Sequence, residues 1–164
     1  MCQLSSINRP TVSLFFSFIA ILFFYTSCNT AQDPQSLFKE YYRTPEFTPA
    51  SKGIRHMLAL KSVYEDSDFE TAIRLLEKVK QNPKLRVYLG ICHLEMEQTS
   101  KAIPLFESLL SEKAEVKHPA TWYLALCHLK EGDVGSCRTE LTKLSGYPTN
   151  SPFKQKGKEL LGKL

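Results

Sequence analysis

VYLGICHLEMEQTSKAIPLFESLL (residues 87–110) and WYLALCHLKEGDVGSCRTELTKL (residues 122–144) decide the fold. Aligned, they place Leu89 over Leu124, Gly90 over Ala125, and Cys92-His93-Leu94 over Cys127-His128-Leu129. Further on, Ala102 falls over Cys137, Phe106 over Leu141 and Leu109 over Leu144. An earlier block, MLALKSVYEDSDFETAIRLLEKV (residues 57–79), joins them through Ala59, Ala72, Leu76 and Val79. In every block the second apolar series begins 13 residues after the first, and the blocks follow one another at 30 and then 35 residues. Steps of three and four within each series put the apolar positions on one face of a helix. Small residues recur where two helices must approach closely. Recurrence at a fixed period marks stacked supersecondary units.

Outward from these blocks the pattern predicts long helices with short breaks. The breaks fall at Glu65–Asp68, Gln81–Pro83, Glu97–Ser100, Lys117–Pro119, Glu131–Asp133 and Gly146–Pro152. A last helix, SPFKQKGKELLGKL (residues 151–164), would cap the stack with Phe153, Leu160 and Leu161 inward. No run alternates as a strand does, so the fold class is all-α. Residues 29–36 read as a polar tether and residues 43–51, broken by Pro45 and Pro49, as extended linker. Between them lies the aromatic cluster LFKEYY (residues 37–42).

The three blocks resemble tetratricopeptide repeats, helix–turn–helix units of about 34 residues. Gly90, Ala125, Ala72 and Ala102 match the small positions, Phe106 the packing position and Gly132-Asp133 the inter-helix turn. The resemblance covers roughly residues 53–148. Cys137 stands where the family has a small Ala, and His93 and His128 stand where it has an aromatic residue. It implies a short right-handed α-solenoid of about three hairpins with a C-terminal capping helix, occupying residues 52–164.

The front of the chain carries an address. Residues 12–25 (VSLFFSFIAILFFY) hold neither charge nor Pro, and Arg9 is the only basic residue before position 30. A positive start, a short apolar core and small residues after it describe a secretory signal peptide. Tyr25-Thr26-Ser27-Cys28 resembles the lipobox of bacterial lipoproteins, in which the cysteine sulfur receives a diacylglyceryl group and cleavage follows before it. Residues 1–27 would then be signal, Cys28 the lipidated residue, and residues 28–51 tether and aromatic linker. An uncleaved signal-anchor helix and plain secretion are the alternatives. The whole resembles membrane-tethered tetratricopeptide proteins of Bacteroidota, facing the cell envelope from the outer membrane or from the periplasmic side of the inner membrane.

Composition narrows the chemistry. With 21 Lys+Arg against 17 Asp+Glu, well mixed, the chain lacks the basic face that nucleic acid demands. The repeated Cys-His pairs suggest zinc, but adjacent helical residues point about 100° apart and stacked helices sit about 8–10 Å apart. Packing explains both pairs, and Cys92, Cys127 and Cys137 read as buried free thiols. Neither a nucleophile elbow, a phosphate loop nor a metalloprotease motif is present, so no catalytic residue, metal or cofactor is expected.

In the family the first helices of the hairpins line a concave groove. The resemblance therefore implies a partner groove of Met57, Lys61 and Tyr64, then Val87, Ile91 and Leu94, then Trp122, Leu126 and Leu129. Such an apolar patch demands a cover. The chain's own Leu37, Phe38, Tyr41 and Tyr42, a partner's peptide, or a second copy would each serve. The expected function is non-catalytic protein–protein interaction in the bacterial cell envelope. A structural subunit binding through convex faces is the second expectation, and a small metal-binding or hydrolytic protein the third.

Overall fold

Ser67, Glu97 and Gly132 have φ of 61°, 58° and 79°, the positive values found among the described residues. They recur at the 30- and 35-residue spacing of the sequence blocks. Each occupies the left-handed conformation that lets one helix end and the next begin at once. After the second, the Gln98 amide donates to the His93 carbonyl at 2.8 Å; after the third, the Asp133 amide donates to the His128 carbonyl at 2.9 Å. Only Gly132 meets this geometry without a Cβ cost.

The computed structural model describes residues 32–47, 60–61, 64–148 and 150–164. The described helices are α1 (Pro34–Tyr41), α2 (Phe69–Glu77), α3 (Pro83–Glu95), α4 (Thr99–Ser108), α5 (Ala114–Lys130), α6 (Val134–Gly146) and α7 (Pro152–Leu161). Leu60, Lys61, Tyr64 and Glu65 are helical as well. No strand occurs among the described residues, so the chain is all-α over that extent. No described helix is long and apolar enough to cross a membrane. Residues 12–25 and Cys28 lie outside the described residues, as do Met57 and Ala59.

Local chemistry starts five of the seven described helices. Asp33, Asp68, Asp133 and Ser151 accept backbone amides from Ser36, Thr71, Ser136 and Lys154, and Asn82 accepts from Lys84. These bonds satisfy orphan donors of the first turn. They also hold the Asp33, Asp68 and Asp133 carboxyls below the usual carboxylate range. Pro34, Pro83 and Pro152 open their helices at the position where a missing N–H costs nothing.

Consecutive helices from α2 to α7 pack together, and α3, α5 and α7 also pack on one another in a row. α2, α4 and α6 each bury one stripe: Ala72 and Leu76; Ala102 and Phe106; Cys137, Leu141 and Leu144. By contrast α3 is buried from Leu89 through Leu94, and α5 from Ala120 through Cys127. These two helices are covered on both flanks. Within this packing Gly90 sits against the Phe106 ring, where a Cβ would lie 2.6 Å from Cζ.

Two boundaries differ from the sequence expectation. Lys117–Pro119 is no break, because α5 runs through Pro119 and the break lies earlier, at Ser111–Lys113. The burial of its later turns outweighs the one backbone hydrogen bond that Pro119 removes. Residues 34–36 are not tether: Asp33 and Pro34 cap α1, and Gln32–Leu164 forms one compact unit. At the far end α7 caps the row through Leu160, with Phe153 and Leu161 half-buried against the core.

Gly90→Ala should destabilise the protein by about 1–3 kcal/mol despite its better helix propensity, because the rigid Phe106 ring has nowhere to go. Urea unfolding followed by circular dichroism measures this. Adding Phe106→Leu should recover part of the loss, and a strictly additive double mutant would show that the two do not meet.

Candidate inner-face site

α3 and α5 carry Val87, Ile91, Leu94, Trp122, Leu126 and Leu129, with Trp122 against Tyr41 of the N-terminal segment and Val87 and Ile91 beside an open cleft. All six are buried, Trp122 retaining 2 % exposure, and Tyr64 is buried with them. Seven of the nine expected groove residues are thus buried, as a groove with a cover requires, and Met57 lies outside the described residues. Lys61 is half-buried and pairs with Glu65 at 3.5 Å.

The cover is residues 34–47. α1 packs on α5 and α7 and buries Leu37 and Phe38. Phe38 stacks on Tyr42 (4.9 Å between centroids), and Tyr41 meets Trp122 edge-on at 6.4 Å. Two lysines grip the helix from outside: Lys130 lies 5.1 Å from the Phe38 ring centre and Lys163 lies 5.0 Å from that of Tyr41. Lys163 also pairs with Glu40, which raises its pKa, and Gln35 donates to the Lys130 carbonyl. Such contacts combine ring quadrupole, charge and apolar burial.

Beyond Tyr41 residues 42–47 are not helical and form a strap across α3 and α5. Tyr42 leaves the helix at φ −72°, ψ 131°. Its hydroxyl donates to Glu95 Oε1 at 2.7 Å, and the Thr44 hydroxyl donates to the same oxygen. The Tyr123 hydroxyl donates to the Arg43 carbonyl at 3.3 Å and that of Tyr88 to the Glu46 carbonyl at 3.4 Å. Phe47, 1 % exposed, closes the strap between Tyr88 (4.6 Å) and Tyr64 (5.4 Å). Burial pushes the Tyr42, Tyr64 and Tyr123 phenols well above their usual range, so all three stay neutral donors.

Next to the strap an open cleft of about 460 Å³ remains. Val87, Ile91, Val116 and Phe153 form its apolar floor, with Pro45 and Glu46 of the strap on one side. Lys84 and Glu115, paired at 3.1 Å, stand at its edge. Two of the expected groove residues thus border space, while Tyr64, Leu94, Trp122, Leu126 and Leu129 contribute to a packed core.

The Cys-His pairs do not converge. Cys92, Cys127 and Cys137 are free and buried, with burial pushing each thiol up to about 12. At neutral pH they are protonated and poor nucleophiles. His93 is buried and its Nδ1 meets Gln98 Oε1 at 3.0 Å, whereas His128 is only half-buried. Among the described residues no three His, Cys, Asp or Glu side chains gather as a metal site would require. What the inner face offers is shape, aromatic surface and hydroxyl donors.

Tyr42 was named from sequence as a possible cover of the groove, but Glu95, Tyr88 and Tyr123, which hold it and the strap, were not. The Tyr42–Glu95 contact spans 53 residues, and no local pattern announces it. The one available signal was Asp33-Pro34, a helix start that placed the aromatic cluster on a helix.

Tyr42→Phe should cost about 1–2 kcal/mol, the worth of a hydrogen bond to a charged acceptor. Amide exchange should accelerate within residues 34–47 and stay unchanged in α6; uniform acceleration would show that the strap does not open separately. Comparison with protein-family models, curated proteins and solved structures finds no match for the chain.

Proposed function

We propose that the chain is a non-catalytic, membrane-tethered helical-repeat protein of tetratricopeptide type that holds another protein in the bacterial cell envelope. The observation that carries this reading is the inner face itself. Helices α3 and α5 accept a short helix and a non-helical strap as a repeat groove accepts a peptide ligand. The left-handed turns at Ser67, Glu97 and Gly132 support repeat architecture, since they keep the period of the sequence blocks. Cys28 supplies the tether in this proposal: acyl chains contribute about 0.8 kcal/mol per buried CH₂, and two or three hold a protein without a spanning helix.

A second reading places the binding on the convex side, in a structural subunit of an envelope assembly. It is favoured by the burial of Trp122, Leu126 and Leu129, which leaves less of the inner face open. A photo-crosslinking residue at Lys84, beside the cleft, or at Arg138, exposed on α6, separates the two. Discrete adducts from position 84 in native membranes are the expected result. Adducts from position 138 alone would favour the convex side. Clickable fatty acid should label the wild type and not Cys28→Ser, and that variant should leave the membrane fraction; labelling that survives the substitution would refute the tether.

A further inference from the structure

We propose that helix α7, with Lys117 beside it, docks on the anionic headgroups of the bilayer that holds the chain, and so fixes how the helical row stands on the membrane. The proposal rests on the tether proposed above and adds a second, electrostatic contact to it.

Charges that are mixed over the chain as a whole part company toward its end. Residues 141–164 hold five lysines and one acid, Glu159, whereas the 140 residues before them hold 16 basic and 16 acidic side chains. The net charge of +4 therefore lies in one stretch. Two of its lysines are matched by carboxylates, Lys143 by Glu140 at 2.6 Å and Lys163 by Glu40. Lys154, Lys156 and Lys158 have no carboxylate partner among the described residues. Glu159 accepts from Gln155 instead, at 3.0 Å.

Tyr147 gathers further cations. Lys154 Nζ donates to its carbonyl, Lys117 Nζ lies 4.8 Å from its ring centre, and His118 stacks on the ring at 4.9 Å. His118 is held below the usual imidazole range by burial first and then by Lys117 and Lys154, with no carboxylate opposing them.

The fold turns this charge outward. Gly157 lies against Leu144, where a Cβ would stand 3.1 Å from Cδ2, and Leu160 is buried. Successive residues of a helix turn by about 100°, so Lys156 and Lys158 leave Gly157 on opposite flanks of that buried face. Both are exposed, and their long stems let two ammonium groups meet one plane laid over the helix. A flat layer of phosphates suits so spread a set. A single compact anion would not reach both flanks.

Chain length keeps a bilayer within reach. α1 packs on α7, where Glu40 pairs with Lys163. The eight residues of α1 span about 12 Å. The five steps from Cys28 to Asp33 span at most about 18 Å, however the linker runs. Exposed charges act over only about 8 Å at physiological salt, too short a range to gather a free protein firmly. A tether of this length holds the lysines at high effective concentration beside the headgroups, so modest attraction suffices.

The test uses the full chain from native membranes, reconstituted in vesicles of phosphatidylcholine alone or mixed with phosphatidylglycerol. Brief amine acylation, read by peptide mass spectrometry, should modify Lys156 and Lys158 at least about fivefold more slowly on the anionic vesicles, the scale expected for one lysine held at a charged surface. High salt should abolish the difference, and Lys101, exposed on α4, should react equally on both. In Lys156→Gln/Lys158→Gln, exposed positions that leave the core untouched, Lys154 should return to its rate on neutral vesicles. Equal rates at Lys156 and Lys158 on the two vesicles overturn the proposal. So does protection present in native membranes and missing on both vesicles, which would assign the patch to an acidic protein. Clickable fatty acid on Cys28 is read in the same sample. A labelled chain without protection keeps the tether and loses the docking; an unlabelled chain that is still protected loses the tether and keeps the docking.

Discussion

Helix α5 has no polar side to turn toward water. Eight consecutive residues, Ala120 through Cys127, are buried, and a helix of that kind persists only between two covers. α4 and α6 supply one; α1 and the strap lie against the other flank. The N-terminal segment is therefore part of the fold it seems to precede. Removing it would uncover Trp122 together with the rings of Tyr88 and Tyr123, aromatic surface of the sort that folded chains avoid exposing.

Apolar burial alone would leave the register of that cover loose, since an oily surface is tolerant of sliding. The polar contacts fix it. Glu95 takes two hydroxyls from residues 42 and 44, the Tyr88 and Tyr123 hydroxyls meet carbonyls three apart, and Lys130 and Lys163 hold α1 at its rings and at Glu40. Each costs little to form because the phenols remain neutral when buried. The register of the cover thus comes from hydroxyls and one carboxylate placed on an aromatic floor.

The helical class was legible because it rests on periodicity, which is local. The turns at Glu97 and Gly132, the small residue at Gly90 and the capping acids were readable for the same reason. Even the need for a second cover on α5 followed from its all-round apolarity. What escaped was non-local or competitive. Pro119 looked like a break because propensity takes no account of the burial that holds the helix through it. Residues 34–36 looked like tether because their helix is stabilised by α5 and α7, far away in sequence. The nine groove residues came from analogy with repeats, and the chain's own aromatic cluster was one of the covers offered for them; which side chains it would meet was not readable, because those contacts span more than 40 residues.

The three buried thiols have a practical consequence. Cys92, Cys127 and Cys137 sit on α3, α5 and α6, one in each of three neighbouring helices, and none is ionised near neutrality. An alkylating reagent reaches them only when the surrounding helix breathes. Each sulfur is thus a clock for its own layer, and peptide mapping of timed alkylation would rank the layers by how often they open, with no engineered label.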